Sequence, residues 1–255
     1  MRWDPEQYLA FDDLRLRPAL DLVARIPGEV AGPVVDLGCG PGNVTGVLAR
    51  RWPSAELVGV DSSPEMLARA RAGLPEARFV EASIAEWSPE FPPEVIFSNA
   101  ALHWLDDHDA LFPRLFGHLA PGGHLAAQMP RNHAEASHQA MIETVEGGAW
   151  AERLRPLIRE APVAAPETYY RLLAGDAARL DIWEAVYLQV LEGENPVKEW
   201  TKGSALRPFL AALEGAEREA FEADYARRIL AAYPPEGDGR TLFPFRRLFI
   251  VARRA

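Results

Sequence analysis

Along the first half of the chain, short β-branched runs alternate with stretches of helical spacing. Val34-Val35-Asp36-Leu37 reads as a buried strand ending in glycines, and Val44 to Arg51 continues as a helix. Glu56 to Asp61 forms a second strand. Ser63-Pro64-Glu65 then marks a helix start, with an N-cap serine and proline in the first turn. Arg78–Glu81 and Val95–Ser98 make the third and fourth strands. Asp107 to His118 is a helix stopped by Pro121-Gly122-Gly123, and His124 to Met129 is a fifth strand. Alternation at this spacing requires right-handed crossovers, so it predicts an α/β fold: a mostly parallel sheet with helices on both faces.

The second half differs in texture. Helical spacing dominates from about His133 to Leu173, Asp181 to Leu188 alternates like a strand, and Ser204–Leu213 and Ala216–Ala232 read as helices before a last strand, Arg247–Ala252. The two late strands enclose helices. They are expected at an edge of the same sheet, which then has seven strands, with the enclosed segment folded over its carboxyl end. Neither repeats nor a low-complexity linker interrupts the chain, which predicts a single domain over residues 1–255 with a helical cap.

Composition narrows the class. Of 255 residues, 48% are hydrophobic and 25% charged, which argues against disorder and collagen-like structure. No window approaches the ~20 consecutive apolar residues that span a bilayer, and Met1-Arg2-Trp3-Asp4-Pro5-Glu6 lacks the pattern of a secretory signal. Cys39 is the only cysteine, which excludes an intramolecular disulfide and a Cys-rich zinc site. A cytoplasmic protein without membrane attachment is expected. The net charge of −10 repels nucleic acid unless the basic residues gather on one face. From residue 240 onward there are Arg240, Arg246, Arg247, Arg253 and Arg254 and no acid. Arg246 and Arg247 lie among Phe243, Phe245 and Phe249, a setting that suits a shielded anion site.

The informative stretch is Val34-Val35-Asp36-Leu37-Gly38-Cys39-Gly40-Pro41-Gly42-Asn43. Strand, glycine turn and helix together place a ligand at the carboxyl end of the sheet, beside a helix amino terminus. Gly38 and Gly40 let the backbone turn tightly and approach a ligand closely. At the end of the next strand Asp61 can accept hydrogen bonds from both hydroxyls of a ribose, so loop and acid together point to a nucleoside. A dinucleotide fingerprint has glycine where this chain has Asn43. Asp36 would repel a pyrophosphate but pairs well with a ligand ammonium. An amino-acid nucleoside fits better than a dinucleotide.

Asp36-Leu37-Gly38-Cys39-Gly40-Pro41-Gly42 resembles motif I of the S-adenosylmethionine-dependent methyltransferases of the Rossmann-like class I. The resemblance implies that Asp61, with Ser62 beside it, binds the ribose, and that Val80-Glu81-Ala82-Ser83-Ile84 contacts adenine. Ser83 stands where that family has Asp; its hydroxyl still accepts, and the Ile84 N–H still donates. Ser98-Asn99-Ala100-Ala101-Leu102-His103-Trp104-Leu105 is similar to the segment passing the methionine moiety and the transferring methyl. The implied cofactor-binding set is Asp36, Gly38, Cys39, Gly40, Asp61, Ser62, Ser83, Ile84 and Asn99.

Stretches outside that core narrow the resemblance to the bacterial trans-aconitate 2-methyltransferases. They are Trp3-Asp4-Pro5-Glu6-Gln7-Tyr8-Leu9-Ala10-Phe11, Arg15-Leu16-Arg17-Pro18-Ala19, Glu199 to Pro208, and Phe245 to Arg253. On this resemblance residues 1–30 form an amino-terminal helical segment over the site, 31–130 the cofactor core, and 131–255 the substrate cap and last strands. The implied reaction esterifies a small polycarboxylate. A carboxylate with a pKa near ~4 is ionised at neutral pH, so neither a base nor a metal is required, and no catalytic residue in the acid–base sense is expected. The acceptor instead demands cations and hydroxyls around the methyl: Arg17, Lys202, Arg207 and Arg246, with Tyr8, His103, Trp104, Trp200 and Ser204 shaping the pocket. Arg17, Arg207 and Arg246 are expected to converge there. The histidines are scattered without partners at metal-ligand spacing.

Other readings stay open at this level. One is a methyltransferase with a different small-molecule or acyl-carrier acceptor. Another is a non-catalytic module that senses S-adenosylmethionine. A nicotinamide dehydrogenase is disfavoured by Asn43 and Asp36.

Overall fold

The structure, a computed structural model, describes residues 12–159 and 161–255, with side chains from Leu14 onward. The expectations for Trp3–Phe11, including Tyr8, fall outside the described residues. Seven strands, β1 (Val34–Leu37), β2 (Leu57–Asp61), β3 (Arg78–Glu81), β4 (Val95–Asn99), β5 (His124–Pro130), β6 (Ala177–Leu191) and β7 (Thr241–Arg254), lie in the order β3-β2-β1-β4-β5-β7-β6. Pairing is parallel from β3 through β5 and antiparallel between β5 and β7. This is the mostly parallel, seven-stranded α/β sheet expected, with the two late strands at its edge. All four β1 residues are buried, as a central strand covered on both faces requires.

Strand order reverses at β1. The chain leaves it for β2 and β3 on one side and returns to β4 on the other, so the carboxyl ends of β1 and β4 flank the crevice where open α/β sheets hold ligands. Helix α1 (Asp12–Val23) precedes β1, and α2 (Asn43–Arg51), α3 (Pro64–Gly73) and α4 (His108–Gly117) connect the strands up to β5. Beyond β5 come α5 (Ala136–Gly147), α6 (Ala151–Leu154), α7 (Pro166–Leu173), α8 (Pro196–Lys202), α9 (Arg207–Ala211) and α10 (Gly215–Ala232).

Two compact units divide the chain. The sheet unit comprises Arg15–Pro130, Pro162–Ala185 and Arg247–Ala255. Its core joins Val35, Leu37, Ile96, Leu125 and Ala127 of the sheet to Phe112, Leu115 and Phe116 of α4. His108, at the start of α4, spends both ring nitrogens within this unit: Nδ1 meets the Tyr169 hydroxyl at 2.7 Å and Nε2 the Leu102 carbonyl at 3.0 Å. The helical unit contains Arg131–Ala161 and Val186–Arg246. There α10 packs on α5, and Trp150, Trp200, Phe209, Phe221, Tyr225 and Phe243 form the core.

Differences from the sequence pattern concentrate in the second half. The helical stretch expected from His133 to Leu173 is broken into α5, α6, a 3-10 turn at Arg155–Leu157 and α7, with Gly147-Gly148 and the prolines as punctuation. Helix α8 was not anticipated; its start signal is Asn195-Pro196, a proline opening a seven-residue helix. The helix expected over Ser204–Leu213 shrinks to Arg207–Ala211, because Ser204 and Leu206 donate their backbone N–H groups to the Thr201 carbonyl in a tight turn. Strand β7 begins six residues early, at Thr241, and carries Pro244. Its ladder with β5 covers Arg247–Arg253, so proline deprives that ladder of no donor.

Candidate functional site

The loop after β1 is built for close approach. Gly38 has φ +76°, and a Cβ placed there would lie 2.2 Å from the Ala101 Cβ, so only glycine lets the loop lie against the chain leaving β4. Its N–H and that of Cys39 donate to the Val60 carbonyl at 2.8 and 3.0 Å. Gly40 also has positive φ, +53°, but a Cβ there would meet nothing within 4 Å. The loop is therefore packed from below at Gly38 and open above at Gly40. Asp61, half-buried at the end of β2, accepts from the Gly40 N–H at 2.9 Å and from the Ser63 N–H at 2.8 Å. One carboxylate thus joins the glycine loop to the start of α3, which Ser63 caps, and Ser62 between them is exposed.

Asp36 is 1% exposed, and its Oδ2 accepts from the Thr45 hydroxyl at 2.7 Å. Burial pushes its carboxyl up to about 7; the Thr45 hydrogen bond opposes the shift and the nearby Asp61 charge adds to it. It has no ion-pair partner among the described residues. A buried acid in this condition calls for a cation. Burial and the two aspartates raise the Cys39 thiol well above its ordinary range, which leaves it an inert packing residue rather than a nucleophile.

Beyond β3, Ser83 is exposed and its carbonyl accepts from the Glu86 and Trp87 N–H groups. Arg114 of α4 donates to the Ile84 carbonyl at 2.7 Å and to the Trp87 carbonyl at 2.6 Å, and so holds this loop in place. The sequence gives no sign of that role, because a helical arginine reads as a surface residue. At β4, Ser98 donates to the Leu37 carbonyl at 2.9 Å, locking the ends of β4 and β1 together. Asn99 follows with a buried Oδ1 that has no hydrogen-bond partner among the described residues, and Ala100 turns away with φ +53°. His103 is half-buried with its ring 4.7 Å from that of Trp104, which is 43% exposed.

Strand ends and register bring Asp36, Gly38, Cys39, Gly40, Asp61, Ser62, Ser83, Ile84 and Asn99 to the carboxyl side of β1–β4. An under-neutralised carboxylate, an open glycine loop, a second acid at the loop's rim and an orphaned amide oxygen fit an amino-acid nucleoside with an ammonium group and ribose hydroxyls.

The expected acceptor residues occur in both units. Arg17 is exposed on α1 and, with His103 and Trp104, belongs to the sheet unit; Trp200, Lys202, Ser204, Arg207 and Arg246 belong to the helical unit. Trp200 is 2% exposed, with Phe245 and Phe243 at ring distances of 5.7 and 6.0 Å, and works as core. Lys202 is matched by Glu222 at 2.6 Å. Ser204 donates back to the Trp200 carbonyl at 3.3 Å. Arg207 is half-buried at the start of α9, and Arg246 pairs with Glu135 at 3.3 Å. Two features go beyond what the sequence pattern distinguishes. Arg247 is the buried arginine of the pair, 4% exposed. In the helical unit, the rings of His133 and His138 lie 4.8 Å apart, tilted by 56°, each with an Nδ1 that has no hydrogen-bond partner among the described residues. Burial pushes both rings down to about 4; Arg159 and Arg131 reinforce this for His133, and His133 does so for His138. Among the described residues no group of three or more His, Cys, Asp or Glu side chains is placed to hold a metal ion, and no helix is long and apolar enough to cross a membrane.

Comparisons with known proteins bear on the family and the fold. A sequence family described as a methyltransferase domain matches residues 34–123. The chain is 51% identical over 252 residues to the trans-aconitate 2-methyltransferase of Azoarcus sp. (strain BH72), with 99% of each covered. It is 45% identical over 255 residues to the enzyme of that name from Rhizobium meliloti (strain 1021), covering 100% of this chain and 99% of the relative. Among solved structures, phosphoethanolamine N-methyltransferase 2 of Haemonchus contortus, in complex with S-adenosylhomocysteine, superposes with a TM-score of 0.57 at 16% identity. That match covers 94% of this chain and 53% of the other, and at such identity it speaks to the fold.

Proposed function

The chain belongs to the trans-aconitate 2-methyltransferase family, and from that premise we propose which of its residues serve the reaction and how. It is an S-adenosylmethionine-dependent methyltransferase that esterifies a carboxylate of trans-aconitate or a similar small polycarboxylate, giving a monomethyl ester and S-adenosylhomocysteine. The observation that supports the residue assignment best is Asp36: a buried carboxylate with no ion-pair partner among the described residues, beneath the open loop at Gly40. A ligand ammonium belongs there.

When bound, S-adenosylmethionine supplies an electrophilic methyl on a sulfonium. Asp36 holds the ammonium, Asp61 accepts from the ribose hydroxyls through its remaining lone pairs, Ser83 and the Ile84 N–H read adenine, and Asn99 lines the methionine moiety with Gly38, Cys39, Gly40 and Ser62 around it. The acceptor is ionised at neutral pH, so the protein needs no proton acceptor; its work is to align, to exclude water and to hold the unreacting carboxylates still. We assign that work to Tyr8, Arg17, His103, Trp104, Lys202, Ser204, Arg207 and Arg246, with Trp200 supporting them from the core, in a chain whose residues 1–255 act as one methyltransferase domain in the cytoplasm.

A labelled-methyl screen over di- and tricarboxylates tests this. The expected product from trans-aconitate is a base-labile monomethyl ester. Transfer to another acceptor class, with none to polycarboxylates, would reject the substrate assignment; S-adenosylmethionine binding without any transfer would reject catalysis.

A further inference from the structure

Where α5 begins, three buried side-chain atoms between residues 133 and 138 lack a hydrogen-bond partner among the described residues. Pro130 closes β5 at the edge of the sheet where the parallel strands β1 and β4 also end. His133 follows it by three residues, at most ~11 Å of extended backbone, and His138 stands in the first turn of α5. Their rings lie 4.8 Å apart, and in each it is Nδ1 that is buried and unmet. The third atom is the hydroxyl of Ser137, a residue only 1% exposed. Its backbone is occupied: the N–H donates to the Tyr233 hydroxyl at 3.2 Å, and the carbonyl accepts from that of Tyr225 at 3.4 Å. The side chain is not.

Native interiors leave few buried polar groups unmet, and each calls for an explanation. A neutral imidazole has one N–H, and its tautomer follows the nitrogen that finds an acceptor. An oxygen brought to the two Nδ1 atoms therefore makes donors of both. Charge decides which oxygen belongs there. The Arg159 and Arg131 charges reinforce burial in keeping His133 unprotonated, and Glu135, the acid between the two histidines, is paired with Arg246. The first turn of α5 adds the positive end of a helix dipole. A potential of that sign repels a metal cation and attracts a carboxylate. Neutral imidazoles hold such a group by charge-assisted hydrogen bonds without adding a further cation to those nearby.

We propose that His133 and His138 form a seat for an unreacting carboxylate of the acceptor, each donating to it from Nδ1. This rests on the polycarboxylate reading above. The test compares leucine with asparagine at each position. Leucine keeps bulk and removes both nitrogens, whereas asparagine sets an amide nitrogen close to where Nδ1 stood. His133→Leu and His138→Leu are each expected to raise the KM for trans-aconitate about 10–100-fold while kcat changes far less. His133→Asn and His138→Asn should recover most of that loss. Calorimetric affinity for S-adenosylmethionine should stay close to wild type in all four. If wild type esterifies trans-aconitate and the folded leucine variants keep its KM, the seat is refuted and the function stands. An equal loss in the asparagine variants makes the rings packing groups and refutes the seat as well. If wild type transfers to no polycarboxylate, the function and the seat fall together. Should none of the variants fold, the pair is structural and the proposal is overturned.

Discussion

Replacing Asp36 with asparagine should stabilise the free protein and weaken it as a methyltransferase. The carboxyl titrates at about 7 in the fold against 3.8 in an unperturbed side chain, chiefly because burial removes its hydration. A folded-state pKa raised in this way means that the native protein keeps a proton the unfolded chain has lost. The contribution is therefore zero below 3.8, becomes increasingly unfavourable as the pH rises from 3.8 to about 7, and is fully unfavourable above that. At ~1.36 kcal/mol per unit, the cost at pH 8 is about 4 kcal/mol. Asparagine can still accept from the Thr45 hydroxyl, and desolvating its amide returns ~1–2 kcal/mol of that gain. A net stabilisation of about 2–3 kcal/mol remains, or a melting temperature about 4–12 °C higher for a chain of this size. Calorimetric melting of both proteins from pH 5 to 8 should show the advantage growing with pH. The same group predicts the opposite for the ligand. An ammonium beside Asp36 favours its ionised form, so S-adenosylmethionine binding near pH 7 should release a fraction of a proton in wild type and none from Asp36 in the variant, with affinity down about 10–100-fold. Titrations in two buffers of different ionisation enthalpy count those protons. A variant no more stable at pH 8, or one with wild-type affinity and proton release, would refute the picture of a buried acid awaiting a cation.

Asp61→Ala removes the ribose acceptor and also frees the Gly40 and Ser63 N–H groups; S-adenosylmethionine affinity should fall about 10–100-fold by calorimetry, with most of the fold's stability retained. Gly38→Ala forces a Cβ to within 2.2 Å of Ala101 at φ +76° and should cost about 2–5 kcal/mol in denaturant unfolding, whereas Gly40→Ala should cost only its backbone strain, ~1–2 kcal/mol. His133 and His138 carry depressed values of about 4. Their contribution is full above pH 6.5 and lost as the pH falls toward 4, each by up to about 3 kcal/mol. Asp36 acts with the opposite sign over part of that range, so a His133→Gln/His138→Gln double variant should flatten the acid limb of the pH–stability profile without touching the alkaline one.

Much of the cofactor half was legible because its information is local. Residues 34–43 contain a β-branched run, three glycines and a helix start in a single stretch, and the geometry of strand, turn and helix follows from contiguous backbone preferences. Asp61 was legible for the same reason, as the last residue of the next strand. The acceptor half resisted, because its decisive properties belong to no contiguous stretch. Phe245-Arg246-Arg247-Leu248 shows no period that tells which arginine turns inward; the β5–β7 register decides it, putting Arg247 on the face of Gln128 while Arg246 meets Glu135. Trp200 looked like a pocket wall and became core because Phe243 and Phe245, more than forty residues on, close around it. Arg114 looked like a helix surface and became the clamp on Ile84 and Trp87. Asp36 was legible as an acid, but not as one titrating near neutrality. Side-chain chemistry and turn geometry are written residue by residue. Burial, register and the distance to the nearest opposite charge are set by long-range packing, and these determine which of several similar residues carries the function.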